Sequence, residues 1–315
     1  MAAPPQPESP DTEVWTVGRL LNWTTDWLAA RGAESPRLDA EVLLAHVRGC
    51  PRIALYTAFD TPVAEADRGR FRELVKRRGA GEPVAYLVGS REFFSLPFAV
   101  DRAVLVPRPE TEGLVVRVLD LCRAAATPRI VDVGTGSGAI VVALAKHLPR
   151  ATFAATDVSA EALAVARANA VRHGVAERIS FLQCDLLADA AAAGPWDVIV
   201  SNPPYVREDE FAALPRDVRD HEPRGALVAG PTGVEVVVRL AAAAAAALAP
   251  GGWLVVEIGP AVAEAAEAAI AACPALEPGP TLKDLAGLPR IVQARRRGSS
   301  DTTLTSPSLP PSSES

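Results

Sequence analysis

Asn202, Pro203, Pro204 and Tyr205 follow the apolar run from Trp196 to Ser201, and in that order they make a set of acceptors on a stiff backbone. Asn carries a carbonyl acceptor and an amide donor. Two successive prolines contribute carbonyls, withhold N–H donors and fix φ, while Tyr205 adds a flat π-face and a hydroxyl. Such a cup grips a planar NH2 group by both hydrogens and holds its nitrogen in one orientation. The run before it reads as a buried strand of an α/β sheet, and ligand sites in such sheets lie at the carboxyl ends of strands. An isolated Asn-Pro-Pro reads better as a proline turn; a second motif upstream gives it chemistry.

That motif is the apolar strand Arg129 to Val133, interrupted by Asp132, which runs into Gly134, Thr135, Gly136, Ser137 and Gly138 and then into a helical pattern from Ala139 to Leu148. Glycines permit positive φ and let a ligand approach the backbone. Asp157, 23 residues past Gly134, ends a second strand, where an acid hydrogen-bonds ribose hydroxyls. Gly134-x-Gly136-x-x-Ala139 also satisfies the dinucleotide fingerprint, so glycine spacing alone does not separate a nicotinamide cofactor from S-adenosylmethionine. Asp132 and the Asn202 cup favour the methyl donor, because an amine-gripping cup has no use in hydride transfer. Asp185, just past a third strand, either reaches an adenine amino group or caps a helix.

The elements that must position these groups follow from periodicity. From about 127 onward, strands near 130–133, 152–157, 179–183, 196–201 and 252–258 alternate with helices near 139–148, 159–173, 233–248 and 261–272. This predicts a doubly wound, mainly parallel α/β sheet. Two short candidates, Thr281-Leu282 and Ile291 to Gln293, close it as an antiparallel edge. Upstream, apolar residues at helical spacing predict a small helical, substrate-docking domain over 13–82, with Trp15, Trp23 and Trp27 either packed in its core or docking a partner. Residues 83–108, with Phe93-Phe94 and Val104 to Val106, read as a β-hairpin linker, and the catalytic domain spans 109–297.

Composition narrows the classes further. The 315 residues are 49% hydrophobic, enough for a sizeable core, and 32 Lys and Arg against 38 Asp and Glu give a net charge of −6. A duplex-binding protein ordinarily carries a basic surplus, so direct nucleic-acid binding is not expected. Cys50, Cys122, Cys184 and Cys273 are dispersed without a C-x-x-C pair, which fits reduced thiols in a cytoplasm rather than a zinc site or disulfide framework; no metal is expected. The proline-rich segment 1–12 lacks a signal peptide's apolar core, and the alanine-rich run from Leu240 to Leu248 is far short of the roughly 20 residues of a membrane span. Segments 1–12 and 298–315 are expected to be disordered, and a monomer is favoured.

With these motifs in order, the sequence closely resembles the HemK/PrmC family of peptide chain release factor N5-glutamine methyltransferases, from the helical region to Arg295. The most specific matches are Glu82 to Leu87, Arg91-Glu92-Phe93-Phe94 and Val106 to Glu112, together with Asp132 to Gly138 and Asn202 to Tyr205. The resemblance implies a Rossmann-like class I methyltransferase domain. It implies S-adenosyl-L-methionine as donor, S-adenosyl-L-homocysteine as product, and the glutamine of the Gly-Gly-Gln tip of class I release factors as substrate. By the same resemblance Gly134 to Gly138 hold the donor, Asp157 its ribose, Asp185 and Leu186 its adenine, and Asn202, Pro203, Pro204 and Tyr205 the donor's edge and the substrate amide. Leu186 departs from relatives with an aromatic residue there, replacing stacking by apolar contact.

Three rival readings share parts of this evidence. A nucleic-acid amino-methyltransferase uses the same cup, but the acidic balance and the lack of a target-recognition domain oppose it. A ribosomal-protein glutamine methyltransferase is closer. A non-catalytic donor-binding scaffold for translation factors conflicts with an intact cup and glycine loop.

Overall fold

The helical and strand periods are realised in two units in a computed structural model that describes residues 14–298; the terminal segments expected to be disordered lie outside them, residue 298 apart. The first unit comprises residues up to Gly89 together with Arg216–His221. Its helices are α1 (Val17–Ala29), α2 (Pro36–Arg48), α3 (Arg52–Thr57), α4 (Glu65–Gly79) and α5 (Val84–Val88). The Thr16 hydroxyl caps α1 by accepting from the Arg19 amide, and Gly49 ends α2 in the left-handed conformation, φ 61°. Val17, Leu21, Leu43, Leu44, Leu55 and Phe71 form its core. Arg78, largely buried, pairs with Asp39 at 2.7 Å and with Asp217 at 3.3 Å, which ties the 216–221 segment to the helices.

Two expectations for this region are corrected. Trp23 is 49% exposed rather than in the core; it stacks on Trp27 with 6.0 Å between ring centroids and meets Trp15 edge-on at 6.5 Å. The span 83–108 is not all hairpin. Residues 84–88 are helical, the strands within it are β1 (Ser90–Phe93) and β2 (Leu96–Ala99), and Val104 to Val106 lie outside the strands. Phe94 and Ser95 turn the hairpin at φ 50° and 59° without a glycine. The Phe94 amide donates to the Glu112 carboxylate at 2.9 Å, which helps offset that strain.

The second unit contains, in chain order, α6 (Glu112–Leu121), β3 (Arg129–Val133), α7 (Ala139–His147), β4 (Thr152–Asp157), α8 (Ala160–Arg172), β5 (Ile179–Gln183), β6 (Trp196–Ser201) and β7 (Val206–Arg207). After α9 (Arg216–His221), which clusters with the first unit, come α10 (Arg224–Leu227), β8 (Val228–Gly230), α11 (Glu235–Ala247), β9 (Leu248–Glu257), α12 (Ala263–Ala271), β10 (Leu276–Pro278), β11 (Leu282–Lys283) and β12 (Pro289–Arg296). The strand order is β10-β12-β9-β6-β3-β4-β5. Strands β3, β4, β5, β6 and β9 run parallel, and β12 is antiparallel to β9, with β10 and β11 antiparallel to β12.

Alternate residues face opposite layers, as the pleat requires. Ile130, Phe153 and Val198 pack with α6 and α7 on one face; Val131, Ala154 and Ile199 pack with α11 and α12 on the other. The alanine-rich α11 buries Leu240, Ala241, Ala244 and Ala247, a helical face fitted closely to the sheet. Among the described residues no helix is long and apolar enough to cross a membrane.

Candidate active site

Strands β3 and β6 are neighbours from which the chain winds outward in opposite directions, the switch point at which open α/β sheets bind ligands. Val133 and Ser201, the last residues of the two strands, are register partners, and the Ser201 hydroxyl donates to the Val133 carbonyl at 2.7 Å. The glycine loop and the Asn202 cup therefore leave the sheet side by side. Above them lies a cavity of about 410 Å³ lined by both motifs and by Asp157, Asp185 and Leu186.

Gly134, Gly136 and Gly138 have φ of 69°, 54° and 78°. A Cβ at Gly134 or Gly136 would meet nothing within 4 Å, so glycine is needed there for backbone conformation rather than clearance; at Gly138 it would press on Ala166 at 3.1 Å. Asp132 holds the loop from beneath. Fully buried, its carboxyl accepts from the Thr135 hydroxyl at 2.7 Å and from the Val141 amide, in the first turn of α7, at 3.3 Å. Burial pushes its pKa up to about 7, against the pull of these two bonds. The Thr135 side chain is thus an anchor of the loop. The Ser137 carbonyl accepts from Asn169, whose amide also exchanges two hydrogen bonds with Ala99.

Asp157 ends β4 and lines the cavity. Its two carboxylate oxygens accept from the Gly136 amide at 2.9 Å and the Ser159 amide at 3.0 Å, which fixes the carboxylate and leaves further lone pairs for hydroxyls. Asp185 forms an ion pair with Arg239 of α11, both side chains more than half exposed. That pairing, rather than a helix cap, is what its carboxylate does in this structure. Leu186, at φ 51°, brings an apolar side chain to the same wall.

In the cup, Asn202, Pro203 and Pro204 all line the cavity, Pro203 with little of its surface exposed. The Asn202 side-chain NH2 donates to the Thr111 hydroxyl at 3.1 Å. Tyr205 departs from expectation. It does not line the cavity, and its ring lies against Gly259, where a Cβ would come within 2.9 Å of it. Burial raises its hydroxyl pKa, and the Glu257 charge adds to this.

Sequence reasoning missed several lining groups. Ala103 to Leu105, Pro107, Arg108 and Thr111 form one wall, and Glu222 secures it by accepting from the Val106 amide and pairing with Arg108. The Val106 to Glu112 stretch is marked in the sequence by its resemblance and by the run Pro107-Arg108-Pro109, which interrupts any α or β period before the short 3-10 turn Pro109–Thr111. Glu257, 2% exposed at the end of β9, has its carboxyl near Thr111 and Asn202. Its sequence signal is an acid closing an otherwise apolar central strand. Arg239 carried no signal.

Open backbone at Gly134 and Gly136, a fixed carboxylate on the next strand end and apolar Val158 and Leu186 beside it suit a nucleoside-bearing ligand with a polar tail, as S-adenosyl-L-methionine is.

Residues 19–89 match the PrmC N-terminal domain and residues 113–215 the methyltransferase small domain. The release factor glutamine methyltransferase of Rhodopirellula baltica is 46% identical over 293 residues, covering 92% of this chain and 99% of that one. That of Chlorobaculum tepidum is 45% identical over 257 residues, covering 79% and 87%. Among solved structures, the hMettl16 catalytic domain in complex with the MAT2A 3'UTR hairpin 6 superposes with a TM-score of 0.52 at 17% identity, over 73% of this chain and 83% of that one, a likeness of fold alone. On relatives this similar over nearly their whole length, the chain belongs to the release factor glutamine methyltransferase family.

Proposed function

We propose that this chain uses S-adenosyl-L-methionine to methylate the side-chain amide nitrogen of the glutamine in the Gly-Gly-Gln motif of class I peptide chain release factors, in the cytoplasm and as a monomer. The observation that carries the reading is that Asn202, Pro204, the glycine loop and Asp157 open into one cavity at the switch point of the sheet.

When bound, S-adenosyl-L-methionine supplies an electrophilic methyl group on a sulfonium. Gly134 to Gly138 cradle the donor, Asp157 accepts from ribose hydroxyls, and Asp185 and Leu186 flank the base. An amide nitrogen is a poor nucleophile because its lone pair is delocalised into the carbonyl, so orientation matters more than approach. The Asn202 side-chain oxygen and the Pro203 carbonyl accept the two amide hydrogens and aim the nitrogen. Positioning of this kind supplies roughly 7–11 kcal/mol in the best intramolecular models. The same carbonyl dipoles stabilise positive charge growing on nitrogen. Tyr205, with its ring on Gly259, supports the cup from behind rather than offering a π-face to substrate.

The helical unit serves as the docking domain, since a glutamine side chain alone offers too little surface to distinguish proteins; specific pairs bury about 1,200–2,000 Å². The test is methyl transfer to purified release factor, read by peptide mass spectrometry. One methyl on the Gly-Gly-Gln glutamine is expected, formed far more slowly by Asn202→Ala while donor binding persists. Modification instead of a ribosomal protein or a nucleic acid would overturn the substrate assignment.

A further inference from the structure

We infer that Glu257 is a positioning residue for the cup: with the Thr111 hydroxyl, its carboxylate takes up the Asn202 side-chain NH2 and thereby leaves the Asn202 carbonyl oxygen to face the cavity. The inference rests on the proposed role of Asn202 as acceptor of the substrate amide.

A carboxamide's two ends are nearly the same size, so shape alone does not decide which faces the substrate. Only the end that presents oxygen is useful. The Thr111 hydroxyl, 3.1 Å from the Asn202 nitrogen, both donates and accepts and so tolerates either orientation. An ionised carboxylate accepts only, and it demands the NH2 end. Glu257 is an acid placed beside Asn202 by the strand register: β9 pairs with β6 at Ser201 and Val256, so Glu257 and Asn202 are the next residues of the two neighbouring strands. It is 2% exposed, its Oε2 accepts no hydrogen bond among the described residues, and, against the upward push of burial, Thr111 and Asn202 both lower its pKa.

The arrangement makes orientation depend on the charge of Glu257. Protonated, Glu257 becomes a donor and is satisfied by the Asn202 oxygen, which turns the NH2 end towards the cavity. Burial raises its pKa to about 7; Thr111, Arg290 and Asn202 pull it down and Glu110 pushes it up. Tyr205 also feels its charge. Arg290 is shared with Asp284, to which it donates at 2.9 Å. Because the ionised form is the productive one, methyl transfer increases as pH rises through about 7.

The experiment uses the full chain and intact release factor, with single-turnover rates followed across pH for Glu257→Gln, Glu257→Ala, Asn202→Ala and the Asn202→Ala/Glu257→Ala double variant. Calorimetric binding of S-adenosyl-L-methionine reports that each is folded. The expected result is a pH step near 7 in the unsubstituted chain that is absent from Glu257→Gln, which keeps part of the rate because its side-chain oxygen still accepts. Glu257→Ala should lose on the order of 10²-fold in rate with donor affinity nearly unchanged. The double variant should be no slower than Asn202→Ala alone. Asp132 titrates in the same range, and a step that persists in Glu257→Gln belongs to it and overturns the inference. So does full activity in Glu257→Gln with an unchanged profile, or additive losses in the double variant. Near-normal turnover by Asn202→Ala would instead remove the reading on which the inference stands. If Glu257→Ala does not fold, the profile of the near-isosteric Gln variant decides.

Discussion

The Ser201 hydroxyl donates to the carbonyl oxygen of Val133 over 2.7 Å, joining the last residues of two parallel strands. Each of these residues precedes a proposed site motif, Gly134 on one side and Asn202 on the other, so this bond sets the spacing between the glycine loop and the Asn202 cup. Ser201 is 1% exposed, and no water replaces the lost partner when its hydroxyl is removed.

Ser201→Ala is therefore expected to cost about 1–3 kcal/mol of stability, the range for stranding a buried acceptor. Denaturant unfolding measures it, and turnover should fall by a larger factor than donor affinity because the cup shifts relative to the loop. An unchanged midpoint would show that the strand ends are held by the ladder alone.

Asp157→Ala removes the acceptor of the Gly136 and Ser159 amides as well as that proposed for the ribose. Affinity for S-adenosyl-L-methionine should fall by roughly 1–3 kcal/mol for the ribose bonds, with a further loss from loosening the loop. Calorimetry decides this; wild-type affinity would remove Asp157 from the donor site.

Asp132 carries a stability signature in pH. Its native pKa, about 7, lies above the ordinary 3.8, so between those values the native state binds more protons than the unfolded state, and stability falls as pH rises from about 4 to about 7. Glu257, also raised to about 7, contributes with the same sign. Asp132→Asn keeps an acceptor for Thr135 and removes the titration. Unfolding free energies measured over this interval should then decline less steeply than in the unsubstituted chain, and an identical slope would contradict the assignment.

Trp23 is exposed beside Trp15 and Trp27 on the helical unit, where burial gives no reason for a large aromatic. Trp23→Ala should raise KM for intact release factor several-fold while donor affinity is unaffected. Its unfolding free energy should move by only about 0.5 kcal/mol, as for other surface substitutions. Unaltered kinetics on intact release factor would assign the docking contact elsewhere.

The sequence by itself determined the elements and the local motifs, because these depend on short-range periodicity and on backbone chemistry. The five central strands and four flanking helices lie within a few residues of their expected positions, since buried parallel strands are continuous apolar runs and their helices carry one apolar face. The placing of Gly134 to Gly138, Asp157 and Asn202 at strand ends was legible for the same reason, since a change of period there meets residues that a turn or a ligand explains. Only the tertiary structure decided what each side chain does there. Thr135 turns inward to Asp132, Asp185 is engaged by Arg239 from 54 residues away, and Tyr205 packs on Gly259 rather than lining the cavity. Glu257 meets Asn202 because β9 pairs with β6 in the register Ser201 to Val256. Side-chain direction at a strand end is set by the pairing of strands far apart in sequence, and no local pattern encodes that register.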